Sequence, residues 1–312
     1  MSSPLITVGV ASYNNAAYLP ETLNSIRNQT YANIELLIVD DCSPDNSAEV
    51  ASEWLAQNPT VNGRLIRHEK NMGVCRTCND FITYGNGEYL SLIGSDDIML
   101  PEKLTIQAEI LVNSPAKVGI VYSDAHVIDA AGRRHFSRFI QKHRQFVEIP
   151  QGDIFPILLE DNFMPVMTAL IRKECFANCG AFDETLMYED WDILLRIARK
   201  YEFVYSDYVA AEYRIHATNA TKRLRTLPAL ETNFKLLSKH LGINAEYDAV
   251  IKGKLRHLLD YMYSLKSPRL REHMEQYNAY FNEEGLLKFA LKSGLPYFRL
   301  LRLQRLLGRF TK

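Results

Sequence analysis

The chain opens with Leu5-Ile6-Thr7-Val8-Gly9-Val10-Ala11, a continuous apolar run rich in β-branched residues that reads as a strand buried on both faces. Asn14-Asn15 then supplies a turn and a helix start, and Leu19, Leu23 and Ile26 recur at helical spacing up to Gln29. A second buried strand, Ile34 to Val39, ends abruptly at Asp40-Asp41. Ser43-Pro44-Asp45-Asn46-Ser47 is a turn and cap cluster, and it leads into a helix reaching about Gln57. The alternation repeats with a strand at Arg64 to Arg67, a helix from Asn71-Met72-Gly73 to Gly85, and a strand at Tyr89 to Ile93. That strand runs into Gly94-Ser95-Asp96-Asp97, and Pro101 sits at the first position of a helix reaching about Val112. Strands alternating with crossover helices predict a doubly wound α/β sheet.

Beyond this frame the pattern is less regular. Val118 to Tyr122 and Val166 to Arg172 have strand character, and Val127 to Phe136 reads as a hairpin turning at Ala131-Gly132-Arg133. Asp190 to Lys200 reads as an amphipathic helix and Phe203 to Arg214 as a further strand. From about Thr226 the chain turns helical, which places a domain boundary near residue 220: an α/β domain over 1–220 and a helical region over 221–312.

Composition narrows the classes. With 47% hydrophobic and 23% charged residues, 15 Gly and 12 Pro, the chain is neither fibrous nor low-complexity. Its net charge of -1 excludes a general polyanion binder, so nucleic acid is not an expected partner. No apolar run reaches the roughly 18 to 20 residues of a spanning helix. The Met1-Ser2-Ser3-Pro4 start has no secretory pattern, and the five cysteines are odd in number and thinly spread, which favours a reducing, cytoplasmic setting. Cys75-Arg76-Thr77-Cys78 is a C-x-x-C at a helix start, with redox, metal and buried-thiol readings; the last is favoured, because the only other close pair lies about a hundred residues away.

Carboxylates collect in three places at strand ends or loops: Asp40-Asp41, Asp96-Asp97, and Glu189-Asp190 with Asp192. In an open α/β sheet, ligands bind beyond the carboxyl ends of the strands. Paired carboxylates repel one another, and folding alone gives little reason to put them there. A divalent cation relieves the repulsion, and oxygen ligands suit Mg²⁺ or Mn²⁺ beside a phosphate. No G-x-G-x-x-G, phosphate loop, H-E-x-x-H or G-x-S-x-G is present.

Taken together, V-x-V-A-S-Y-N-N (Val8 to Asn15), L-L-I-V-D-D-C-S-P-D-N-S (Leu36 to Ser47), N-M-G-V (Asn71 to Val74) and L-I-G-S-D-D-I-M-L-P-E-K-L (Leu92 to Leu104) resemble the glycosyltransferase family 2 sequences. Gly180-Ala181-Phe182-Asp183-Glu184, Tyr188-Glu189-Asp190-Trp191-Asp192 and Tyr213-Arg214-Ile215-His216 extend the resemblance over about residues 4–220. It implies a GT-A fold, with a nucleotide-binding half (about 1–98) and an acceptor half (about 99–220) over one mixed sheet, and a C-terminal helical extension. It implies inverting transfer of a hexose-type sugar from a UDP-sugar donor to a glycan or lipid-linked saccharide, with Mn²⁺ or Mg²⁺, in surface polysaccharide synthesis.

By position, the resemblance assigns Ala11, Ser12 and Tyr13 to the base pocket, and Asp40 or Asp41 to the uracil imide or a ribose hydroxyl. Asn14, Asn71, Gly73, Arg76 and Ser95 stand with them around the nucleotide. Asp96, Asp97 and His216 form the implied metal set, Arg214 approaches the diphosphate, and Asp190 is the implied general base, supported by Glu189. Two departures stand out. Gly94 occupies the first position of a motif that often reads Asp-Ser-Asp-Asp, and Cys78 stands where an Arg often precedes the Asn matching Asn79.

Two other readings remain: a sugar-phosphate nucleotidyltransferase, which calls for a Gly-rich loop with Arg or Lys after the first strand, and a non-catalytic nucleotide-binding subunit. From Gly285 onward there are seven basic residues and no acidic one, with Leu300, Leu303, Leu307 and Phe310 on one helical face and Arg302, Arg305 and Arg309 on another. Such a helix suits a membrane interface, placing the protein peripherally at the inner face; docking on the catalytic domain or on a second copy of the chain is the alternative.

Overall fold

The computed structural model describes residues 3–144, 146–219 and 226–281. It packs as two units, residues 1–219 and 220–312. The first unit begins with β1 (Ile6–Ser12), α1 (Leu19–Arg27), β2 (Ile34–Asp40), α2 (Ser47–Gln57), β3 (Gly63–Arg67), α3 (Val74–Tyr84) and β4 (Tyr89–Gly94). It continues with β5 (Ile98–Met99), α4 (Lys103–Asn113), β6 (Val118–Asp129), β7 (Arg134–Phe136), α5 (Phe139–Arg144) and α6 (Phe155–Glu160). β8 (Leu170–Arg172), α7 (Glu174–Cys179), α8 (Asp190–Ala198) and β9 (Glu202–Ile215) complete it.

The strands form one nine-stranded sheet in the order β3-β2-β1-β4-β8-β6-β9-β5, with β7 paired to β6. β1 to β4 run parallel, as the crossover helices require. At β4 the direction changes, because β8 joins its free edge antiparallel. The result is the mixed α/β sheet of the GT-A type.

The core forms because the apolar runs have no solvated face: Ile6, Val8 and Val10 of β1 and Leu36 and Ile38 of β2 have no exposed surface. α1 turns Leu19, Leu23 and Ile26 onto the sheet. Gly9 lets α3 pack closely, since a Cβ there would lie 2.4 Å from the Phe81 ring. Register aligns the strand ends that matter: Ser12 faces Asp40 across β1–β2, and Ala11 faces Gly94 across β1–β4. At the opposite end, Glu35 accepts from Thr7 Oγ1, the Asn86 backbone N–H and Asn86 Nδ2 at 2.7 to 2.9 Å. Burial would raise the Glu35 pKa, but these donors outweigh it and hold it below the ordinary value.

Several elements differ from the sequence expectations. The stretch expected as a strand over Val166 to Arg172 divides into a 3₁₀ turn, Val166–Thr168, and the three-residue β8. Pro165 dictates the turn, since its carbonyl accepts from both the backbone N–H and the hydroxyl of Thr168. β6 runs for twelve residues, because the strand expected at Val118 to Tyr122 continues into the first arm of the hairpin expected at Val127 to Phe136; that hairpin forms, with β7 as its second arm. α5, α6 and α7 are six residues each, too short to show a period.

The second unit holds α9 (Leu227–Ser238), α10 (Ala245–Ser264) and α11 (Leu270–Phe281). Asn244 caps α10 by accepting from the Tyr247 N–H at 2.8 Å. Among the described residues no helix is long and apolar enough to cross a membrane. The basic segment 285–312 lies outside the described residues.

Candidate active site

The loops beyond β1, β2 and β4 are stapled together. Asn14 and Asn15 donate backbone N–H groups to Ser43 Oγ and Ser47 Oγ at 3.0 and 3.2 Å, and Ala16 N–H reaches Asp45 Oδ2 at 2.9 Å. Asn15 Nδ2 donates to Ser95 Oγ at 3.1 Å, and the Ser95 N–H to the Ala11 carbonyl at 3.1 Å. Asn14 and Cys42 adopt left-handed φ of 56° and 58° to make these turns. Asp40, at the end of β2, accepts from Ser12 Oγ and from both the N–H and hydroxyl of Ser43. Tyr13 is 43% exposed above this floor.

Asp41 shapes a second loop. Its Oδ1 accepts from Met72 N–H at 2.6 Å and its Oδ2 from Gly73 N–H at 2.8 Å, while Asn71 Nδ2 donates to its carbonyl. Gly73 has φ of 86°, a left-handed value that glycine tolerates at the start of α3. His68 lies beneath, with Nδ1 2.7 Å from Asp41 Oδ1 and Nε2 2.6 Å from Asp80 Oδ2. Burial lowers the affinity of the ring for its proton, but the two carboxylates outweigh burial and raise the His68 pKa.

Asp96, Asp97, Arg214 and His216 meet where the β4–β5 loop crosses the end of β9. His216 Nε2 is 2.8 Å from Asp96 Oδ2, and His216 Nδ1 is 2.9 Å from Thr218 Oγ1. Asn219 braces the turn by bonding the His216 N–H, the Arg214 carbonyl and Asp96 Oδ2. Asp97 is buried and accepts the Arg214 N–H at 2.9 Å; burial, then the neighbouring Asp96 charge, pushes its pKa well above the ordinary value. The Arg214 side chain donates to the Asp96 carbonyl, pairs with Glu21 and lies 4.9 Å from the Tyr18 ring centre, so its guanidinium is aimed at α1.

Asp96 could offer a divalent ion one carboxylate oxygen. Its Oδ2 is taken by His216 and Asn219, while Oδ1 points beside Gly94, where a Cβ would come within 2.7 Å. Gly94 therefore leaves room for one hard oxygen ligand. Among the described residues there is no cluster of three or more His, Cys, Asp or Glu arranged for a metal.

Glu189 and Asp190 occupy the start of α8, both half-buried. Asp190 accepts from Trp191 N–H at 2.7 Å and from Asn162 Nδ2 at 2.9 Å. Burial raises its pKa against those two bonds, and burial together with the Asp190 charge pushes Glu189 up to about 8. Trp191 Nε1 ties α8 to the Leu158 carbonyl of α6. Arg196 pairs with Asp192 and donates to the carbonyls of Cys179, Gly180 and Ala181, which fixes the loop before α8.

The same loop docks on α3. Asn79 exchanges bonds with Phe182 and Glu184, and Cys75 Sγ bonds the Leu186 carbonyl at 3.5 Å. Arg76 pairs with Asp80 and reaches Glu184 at 3.6 Å. Cys75 and Cys78 are free, buried thiols; burial, then the Glu189 charge, pushes Cys75 up to about 12 and raises Cys78 well above the ordinary value. Thiols held in this form are inert.

Ala11, Ser12, Asn14, Asp40, Asp41, Asn71, Gly73 and Ser95 are thus one bonded set of loops. Asp96, Asp97, Arg214 and His216 are a second, and Glu189 and Asp190 a third. Sequence reasoning missed Glu21, His68, Asp80, Asn162 and Asn219. Only Asn219, three residues after His216, carried a local signal.

Residues 7–176 match the family model described as glycosyl transferase family 2. The uncharacterized glycosyltransferase RP339 of Rickettsia prowazekii is 30% identical over 261 residues, covering 82% of this chain and 78% of its own. RT0329 of Rickettsia typhi is 26% identical over 92% of this chain and 82% of its own. Residues 1–349 of S. aureus TarS, solved with UDP-GlcNAc, superpose with a TM-score of 0.65 at 17% identity, over 88% of this chain and 81% of that one. The mannosyltransferase PcManGT of Pyrobaculum calidifontis, solved with GDP-Man and Mn²⁺, gives 0.60 at 16% identity, over 99% and 81%. The likeness to the solved chains is one of fold. On the family match, the chain belongs to glycosyl transferase family 2 and is a glycosyltransferase.

Proposed function

We propose that the chain is an inverting, metal-assisted glycosyltransferase that moves a hexose-type sugar from a UDP-sugar to a hydroxyl of a glycan or lipid-linked saccharide, in surface polysaccharide synthesis. One observation carries most weight. Cys75, in the first turn of α3 and just after the Asp41-held loop 71–73, bonds the Leu186 carbonyl in the loop that leads to Glu189 and Asp190. That contact supports a catalytic carboxylate near the carboxyl end of the strands, beside the loops assigned to the nucleotide.

In this reading Tyr13 stacks on the base, Asp40 and Asp41 shape its pocket, and Asn71, Gly73, Arg76 and Ser95 line the nucleotide. Asp96, with His216 beside it and Asp97 bracing the loop, would hold a Mn²⁺ or Mg²⁺ ion, which would supply positive charge to the diphosphate leaving group. Arg214 holds the Asp96 loop in place. Asp190 takes the acceptor hydroxyl proton as that oxygen bonds to the anomeric carbon and the carbon–phosphate oxygen bond breaks. One displacement inverts the centre. Glu189, held near neutral by its neighbour, lets Asp190 carry the charge of the pair.

The test is to screen UDP- and GDP-sugars for Mn²⁺-dependent release of nucleoside diphosphate in the presence of saccharide acceptors, with the anomeric configuration of the product read by NMR. Release from a UDP-sugar with inversion is expected. Retention, or turnover with GDP-sugars alone, would overturn the reading.

A further inference from the structure

Below the 71–73 loop, one imidazole is held between two carboxylates from different elements. His68 Nδ1 lies 2.7 Å from Asp41 Oδ1, and Nε2 lies 2.6 Å from Asp80 Oδ2. The side chain is only 10% exposed, and those of Asp41 and Asp80 are 6% and 2% exposed. A neutral imidazole has one N–H and serves one acceptor; a ring that faces an accepting carboxylate through each nitrogen carries a proton on both. Asp41 also takes the Met72 and Gly73 N–H groups, and Asp80 faces the Arg76 guanidinium, so both act as acceptors toward the ring. Geometry alone therefore assigns an imidazolium with two charge-assisted bonds.

The bridge has a defined reach. Asp41 uses both oxygens to hold the N–H groups of Met72 and Gly73. Asp80 sits on α3, where Arg76 approaches its other oxygen at 3.1 Å and Glu184 at 3.6 Å. The His68 N–H is itself bonded to the Asp40 carbonyl at 2.9 Å, which fixes the backbone from which the ring projects. The charged groups around the ring are Asp41 from the β2–α2 loop, and Asp80 with Arg76 from α3. On its own segment they are Arg67, paired with Glu49 of α2, and the exposed Glu69 and Lys70.

We propose that His68 is a positioning residue of the donor pocket: its doubly protonated ring clamps Asp41 to α3 and thereby fixes the Met72–Gly73 N–H pair that borders the nucleotide. The proposal rests on the reading of the 71–73 loop as part of that pocket. Losing one proton must release one carboxylate, which uncouples the loop from α3 whichever bond breaks. Donor affinity therefore falls as the ring deprotonates, on the alkaline side of the ordinary histidine value.

The experiment combines ¹⁵N-histidine NMR of the full chain with calorimetric titration of UDP in the presence of Mn²⁺. In the wild type, both His68 nitrogens are expected to be protonated at pH 6, with a midpoint above 6.5. Asp80→Asn should lower that midpoint and weaken UDP about tenfold at pH 7, the loss of one charge-assisted contact. His68→Gln should weaken UDP similarly and abolish the alkaline fall in affinity, with circular dichroism confirming the fold of both variants. A His68 midpoint at or below 6.5 would overturn the bridge. Wild-type UDP binding with unchanged affinity in Asp80→Asn would overturn the positioning role alone. Failure of the wild type to bind UDP would overturn the donor-pocket reading and the role with it.

Discussion

Asn162 donates its side-chain N–H to Asp190 Oδ2 at 2.9 Å, while the Arg144 guanidinium holds the Asn162 carbonyl at 3.0 Å. The proposed base is thus oriented from α5 through the segment after α6. A base acts only when ionised, so the rate rises with pH through the Asp190 pKa, which burial lifts above the ordinary carboxylate value. Asn162→Leu removes a bond that favours the charged form, so its acid limb is expected to move to higher pH while UDP affinity stays the same. A pH–rate profile of nucleoside diphosphate release checks this, and an unshifted limb would sink it.

Asp190→Asn keeps the shape of the site and removes proton acceptance. Transfer is expected to fall by about 10²–10⁴-fold, with nucleotide binding retained. Parallel calorimetry and turnover measurements decide it, and transfer at the parent rate would exclude Asp190 as the base.

Gly94→Ala places a Cβ 2.7 Å from Asp96 Oδ1, so the carboxylate must rotate away. UDP binding supported by Mn²⁺ is expected to weaken about tenfold, the low end for changes just outside a metal's ligands. Binding without metal should hardly change. Equal losses with and without Mn²⁺ would count against the metal role of Asp96.

Lys103, the first residue of α4, has no exposed surface and no carboxylate partner; its Nζ donates to Ser91 Oγ and the Ala169 carbonyl. Burial lowers its pKa from 10.5 to about 7. Between those values the unfolded chain binds more protons than the folded one, so stability rises with pH across that window and the penalty is fully present below it. Lys103→Met is expected to flatten this rise and to stabilise the chain near neutrality by on the order of a few kcal/mol. Ser91 Oγ already donates to the Ala169 carbonyl, so no orphan group is left. Urea titrations at pH 6 and pH 10 provide the comparison.

Gly9→Ala forces a Cβ to within 2.4 Å of the Phe81 ring, on the core side of β1. A cost of about 1–3 kcal/mol is expected from overpacking. Adding Phe81→Leu should recover part of it, a coupling that a double-mutant cycle in denaturant would measure.

The parallel half of the sheet was legible because β1, β2 and β4 are continuous apolar runs that end at Ser12, Asp40 and Gly94, and the turn residues between them are unambiguous. The rest of the sheet was only partly so. β8 has three residues and α5 to α7 six each, and their identity depends on what they pack against. The acidic doublets were legible in the sequence, but not the partners that fix them. Asp190 meets Asn162 28 positions away, Asp41 meets His68 27 away, and Arg214 meets Glu21 across 193. No local pattern encodes pairings of that range. Arg214 is the clearest case: its motif suggested a diphosphate contact, whereas in the folded chain its guanidinium reaches α1.

The change of strand direction at β4 has a consequence for biosynthesis. The edge of β4 awaits β8, and the Ser91 hydroxyl awaits the Ala169 carbonyl, 78 positions downstream. At ~5–20 residues per second on the ribosome, that edge stays open for about 4–16 s after β4 emerges. A nascent chain with an apolar parallel half and an uncapped border is a template for pairing with its neighbours on a polysome. Chaperone demand should therefore peak between the emergence of β4 and that of β8, and a stall there should be more harmful than one after β9.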